Sequence, residues 1–197
     1  MMKKAIGCFF KLILALLLVA ALFIFIMKIC DYIFGTKFPQ ENVGKNEIVL
    51  NVGVDGVKLG DKFEDAKRKW GTEFTEFLYG GSGGLILCWP RNGICVENSD
   101  VYYRDTITTI TIYDKGEHEL INGKLKVDKA FLGKSDKGIS LESSESDIIS
   151  VLGKPQKEFY DKRGWGYENT EFHFYTTKMK KLKRISFYVR ISGWDAL

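Results

Sequence analysis

Histidine is almost missing from this chain, and with it most of the usual material for acid–base catalysis or a metal centre: 197 residues carry 2. These are His118 in a charged connector and His173 on the outward face of a strand. Neither has a cysteine or carboxylate around it at metal-ligand spacing, and both read as exposed side chains. Proline is as scarce, with 3 residues. The run Gly80-Gly81-Ser82-Gly83-Gly84 lacks the Lys-Ser/Thr and the helix that a phosphate cradle needs, so it reads as a flexible hairpin connection. The carboxylates Glu64, Asp65, Glu145 and Asp147 belong to first turns of helices, where the helix dipole favours them. No nucleophile and base can be assembled from these motifs. The expectation is a protein that is not an enzyme, with no catalytic, cofactor or metal site and no small-molecule substrate.

Charge of one sign is also in short supply. The formal net charge is +4, and the first 35 residues hold +3 of it, since Lys3, Lys4, Lys11 and Lys28 face only Asp31. Residues 36–197 are therefore nearly neutral. A nucleic-acid binder needs a basic face to displace counterions, and this balance provides none.

What the chain does have is grease at its start. Ala5 to Cys30 is broken only by Lys11 and Lys28, with an uninterrupted core from Leu12 to Met27. As one helix it would rise about 39 Å, enough to cross a hydrocarbon core of roughly 30 Å. The only rough cleavage site, Val19-Ala20-Ala21, would leave an apolar stub on the mature chain, which argues against a removed signal peptide. Residues 1–35 are thus expected to be a single-pass anchor contacting membrane lipid through residues 5–30. Lys3, Lys4 and Lys11 favour a cytoplasmic N-terminus, which puts the C-terminal part in the periplasm or outside the cell, on a bacterial inner membrane.

Beyond the anchor the strongest signal is an internal repeat. Gly56 to Gly71 aligns without a gap on Gly138 to Gly153 at an offset of 82, with Gly56/Gly138, Leu59/Leu141, Asp65/Asp147 and Gly71/Gly153 identical. Each copy reads as a short strand entering a helix, capped by Asp61 with Glu64 in the first and by Ser143 in the second, and stopped by its glycine. Strands are expected at Leu85–Trp89, Ile94–Glu97, Thr106–Tyr113, Lys124–Ala130, Thr170–Tyr175 and Arg184–Ser192, with a bulge near Thr108-Thr109 where the apolar parity shifts. The fold class is α+β: an N-terminal transmembrane helix followed by two helix-plus-antiparallel-sheet repeats. The boundaries are an anchor at 1–35, a juxtamembrane stalk and entering strand at 36–55, a first repeat at 56–114, a connector at 115–137 and a second repeat at 138–197.

Gly138 to Leu141, a capped helix, Leu152-Gly153-Lys154-Pro155 and the aromatic strand Trp165-Gly166-Tyr167 together resemble the SmpA/OmlA (BamE-like) envelope domain and the tandem β-lactamase-inhibitor-like proteins built from the same unit. The resemblance spans about 50 residues per copy and speaks to fold more than activity. It implies an exported, non-enzymatic protein that binds other proteins.

Cys88 and Cys95 admit two geometries. A four-residue loop at Pro90 to Gly93 sets them opposite one another, near enough for a cross-strand disulfide; a two-residue turn at Asn92-Gly93 sets Cys88 opposite Glu97 and leaves both thiols free. Candidate partner-binding residues are Trp89, Arg91, Trp165, Tyr167 and the basic Lys180, Lys181 and Lys183, on a sheet face and in the loops 79–84, 89–93 and 178–184. The functional expectation is a membrane-anchored extracytoplasmic protein-binding module. It would be an accessory or scaffold protein of the bacterial envelope or, alternatively, an inhibitor or immunity protein occluding an exported enzyme or toxin.

Overall fold

The computed structural model describes residues 16–26, 36–78, 84–98, 105–120, 123–159, 164–174 and 182–189. The chain divides into two units, one of residues 1–37 with 191–197 and one of residues 38–190. In the first unit, residues 16–26 are helical (α1) and their side chains are exposed. Residues 1–15 and 27–35 of the expected anchor lie outside the described residues. No helix among the described residues is long and apolar enough to cross a membrane. This overturns the expected transmembrane helix, and with it the single-pass topology and the inner-membrane placement.

The second unit is mostly sheet, which corrects the fold class as well. Its centre is one eight-stranded antiparallel sheet in the order β11-β12-β13-β14-β7-β6-β5-β4. The first half supplies β4 (Thr75–Leu78), β5 (Leu85–Trp89), β6 (Ile94–Asn98) and β7 (Thr109–Tyr113). The second half supplies β11 (Lys157–Glu158), β12 (Gly164–Tyr167), β13 (Thr170–Phe174) and β14 (Leu182–Tyr188). The halves meet where β14 pairs with β7, with Ile185 opposite Ile112 and Phe187 opposite Ile110. A small sheet of β1 (Glu47–Val49), β2 (Gly53–Val54), β3 (Val57–Lys58) and β10 (Lys134–Ser135) adds Ile48, Val54 and Val57 to the core.

Two helices precede the two sets of four strands, α2 (Phe63–Trp70) and α3 (Glu145–Leu152). At the offset of 82, equivalent backbone groups find equivalent partners. Asp61 accepts from the Lys58 amide at 2.9 Å and Ser143 from the Ser140 amide at 2.9 Å. Asp65 accepts from Lys62 N at 3.1 Å, Asp147 from Ser144 N at 2.8 Å. The caps are therefore Lys62 and Ser144, one residue later than expected, with Asp65 and not Glu64 reaching back; Asp61 and Ser143 hold the preceding turn instead. Gly71 and Gly153 end the helices at φ 87° and 78°, a conformation that costs glycine least, and donate to Lys67 O and Ile149 O at 2.8 Å.

Period-two alternation sends Leu87, Trp89, Ile94, Val96, Ile110, Ile112, Phe172, Ile185 and Phe187 to the helix side, where they form the main core with Phe63, Ala66, Trp70 and Ile148. The expected bulge at Thr108-Thr109 is absent because β7 begins at Thr109. The register shift lies between His173 and Phe174, opposite Lys183, which lets Leu182 and Ile185 both be fully buried.

Segment 115–137, expected as a connector with one short strand, folds into a hairpin of β8 (Gly116–Leu120) and β9 (Gly123–Val127). Leu125 and Val127 pack with Ile86, Cys88, Cys95 and Tyr113 in a second core cluster, with Phe77 and Leu120 against it. The hairpin thus covers the outer face of the first half. Its alternation was masked by lysines and glutamates facing solvent.

Asp55 ties the small sheet to α2. Its carboxylate accepts from Asn46 N at 2.8 Å and from the Trp70 indole at 2.9 Å, with Lys69 at 3.9 Å. Asp55 is nearly buried and sits at φ 49°. Asp55→Ala orphans the indole and strains the backbone, so urea unfolding should show a loss of about 2–3 kcal/mol, whereas Asp55→Asn, which tolerates the positive φ but turns an amide NH2 toward one of the two donors, should lose less.

Candidate functional site

The outer face of the seam strands carries the candidate site. The same alternation that buries Ile110 and Ile112 turns Thr109, Thr111 and Tyr113 outward, and opposite them on β14 stand Tyr188, Ser186 and Arg184. On the flanks, β6 adds Glu97 and β13 adds Glu171 and His173. The hairpin β8–β9 stops short of this region, leaving a cleft of about 490 Å³ between its Glu119-Leu120 edge and the strands.

The floor is made of small hydroxyl side chains; Thr111 Oγ1 donates to Ser186 Oγ at 3.1 Å, and both residues are buried. At one side, His173 lies 3.2 Å from the Glu171 carboxylate and stacks on Phe159 at 5.0 Å. Tyr188 donates its hydroxyl to Glu168 O at 3.3 Å. Burial pushes the Tyr113 phenol above its ordinary pKa, while the charge and hydrogen bond of Arg184 act the other way. The Arg184 Nε is itself shut off from solvent and has no hydrogen-bond partner among the described residues.

The predicted site residues distribute differently from the expectation. Cys88 stands opposite Cys95 and the two are joined in a disulfide, buried under the hairpin. Trp89 is a core residue: its ring packs edge-on to Trp70 at 5.1 Å and its indole donates to Gly71 O at 2.8 Å. Trp165 is buried against Phe174, and Tyr167, 8% exposed, donates its hydroxyl to Gly153 O at 2.8 Å. These three rings therefore offer no surface to a partner; the strand parity that made them conspicuous points them inward. Arg91 is exposed and paired with Glu73. The 89–93 loop is pinned, since Tyr113 N donates to Gly93 O at 2.7 Å and Asp128 N to Pro90 O at 3.0 Å. Lys183 is half-buried at the β14 bulge, while Lys180, Lys181 and nearly all of loop 79–84 lie outside the described residues.

His118 is not the exposed side chain expected of a charged connector. It is 1% exposed under the hairpin, edge-on to Tyr113 at 4.7 Å, with Nε2 donating to Asp114 O at 2.7 Å and Nδ1 without a partner among the described residues. Sequence reasoning also passed over Ser186, Thr109 and Thr111 as site residues. The available signal was their shared parity on two strands, which becomes a site only once β7 and β14 are known to be neighbours. Among the described residues no group of three or more His, Cys, Asp or Glu side chains could hold a metal ion. Compared with family models, with curated proteins and with solved structures, the chain matches none.

Two outcomes follow from this geometry. Burial, with Lys183 and Arg184 nearby, lowers the His118 pKa against the opposing pull of the Asp114 carbonyl. A neutral ring in the fold and an ordinary histidine in the unfolded chain mean that stability is fully present above about pH 6.5 and is lost as pH falls below it. Urea midpoints should drop on acidification, and the drop should shrink in His118→Leu. The disulfide closes a short loop, so Cys88→Ala with Cys95→Ala should cost roughly 2–3 kcal/mol, and dithiothreitol should reproduce that loss in the wild type while leaving the variant unchanged.

Proposed function

We propose that residues 38–190 form a protein-binding module whose partner docks on the open outer face of β7 and β14. The reading is of an accessory or scaffold protein that holds another protein, not of a catalyst. The observation that carries it is the half-covered sheet: among the described residues the hairpin seals the first half, and the adjoining strands keep a cleft lined by Arg184 and by the hydroxyls of Thr109, Thr111 and Ser186. Antiparallel sheets supply a rigid platform whose outward residues are preset by the ladder, so little ordering entropy is lost on docking.

The chemistry of the cleft specifies the partner group. Arg184 calls for a backbone carbonyl or a carboxylate, the hydroxyl floor of Thr109, Thr111 and Ser186 accepts polar backbone, and the ring of Tyr188 flanks it. Tyrosine and arginine are the residue types that concentrate binding energy in interfaces.

A photo-crosslinking residue at Thr109 should form a covalent adduct with a discrete protein in the native cell, and one at Glu142 should not. Thr109→Arg, which adds bulk without removing a contact, should weaken binding of that protein by about tenfold or more at unchanged thermal stability. Adducts formed equally from both positions, or affinity untouched by the arginine, would count against the reading.

A further inference from the structure

The two helices hold equivalent places and use their apolar side chains differently. α2 buries Phe63, Ala66 and Trp70, whereas α3 buries Ile148 alone and leaves Ile149 40% and Val151 41% exposed. Beside α3 a cavity of about 580 Å³ is lined by Val151 and Leu152 from the helix and by Val49 and Leu50 from β1 and its turn. The wall is preorganised. Asn51 N donates to Thr170 Oγ1 at 3.1 Å, Thr170 donates back to Asn51 Oδ1 at 2.6 Å, and Asn51 Nδ2 donates to Glu168 at 2.9 Å. This fixes the β1–β2 turn to the β12–β13 turn.

Around that aliphatic strip the charges are one-sided. Glu41, Glu47, Asp136 and Glu168 line the groove, against Lys137 alone. An acidic segment would be repelled there and a purely apolar one would leave the carboxylates unused, so the complementary occupant brings cations and aliphatic groups together. We propose that this groove docks a segment of a partner protein in which Lys or Arg alternates with aliphatic residues. The groove is on the helix-bearing side of the sheet, away from the β7–β14 outer face, so the inference stands independently of the reading given above.

The test uses fluorescein-labelled heptapeptides of alternating leucine and lysine, or alternating leucine and glutamate, titrated into the full chain and followed by anisotropy. The leucine–lysine peptide should bind and the leucine–glutamate peptide should not. Glu41→Lys combined with Asp136→Lys should weaken binding by about tenfold or more and Val151→Ser by roughly fivefold, while Glu76→Lys on β4 should leave it unchanged. Melting temperatures of all variants verify that the fold is retained. Binding of both peptides alike, absence of binding, or affinity unaffected by the groove substitutions overturns the proposal. So does sedimentation showing a dimer that the same substitutions dissociate, because the occupant would then be a second copy of this chain.

Discussion

The pairing of β7 with β14 is the constraint on which the molecule depends. Each half contains a helix and four strands, and alone each would end in an edge strand with a row of unpaired amides and carbonyls. Joining Thr109–Tyr113 to Arg184–Tyr188 removes both edges and sets Ile110, Ile112, Ile185 and Phe187 side by side beneath the helices. The outer edges that remain are short: β4 has four residues, and β11 has two, both charged.

The two halves share a framework and differ in what covers them. In the first, the outward residues are Phe77, Ile86, Cys88 and Cys95, apolar enough to need a roof, and the β8–β9 hairpin is that roof. In the second they are Glu171 and His173, half-buried polar side chains that water can solvate. The polarity of one strand face decides where the hairpin rests and where the sheet stays open. The disulfide and His118 both lie on the covered side, which gives the first half a fixed interior.

Local chemistry in the sequence was legible wherever period and punctuation agreed. β5 was bounded residue for residue, β13 to within one, and the glycine stops at Gly71 and Gly153 stand where spacing put them. The capping residues slipped by one because Asp61 and Ser143 are equally good at closing the turn before the helix. The hairpin at Gly116–Val127 was hidden because a strand laid over another sheet buries only every second residue, and here the exposed ones are charged. The aromatic residues misled for a related reason: Trp89, Trp165 and Tyr167 satisfy their polar atoms on backbone carbonyls or sit against other rings inside the core, and composition alone does not say which way a strand faces. The candidate site was least legible, since it exists only through a contact between strands some 75 residues apart.

A sheet closed at its centre and covered on one half by the hairpin is the platform on which the proposed binding role rests. The seam is the premise of that reading. Nuclear Overhauser spectra of the isotopically labelled full chain test it most directly. Cross-strand contacts joining Ile112 to Ile185 and Ile110 to Phe187 are expected. Contacts confined to within each set of four strands, with none linking β7 to β14, would contradict it.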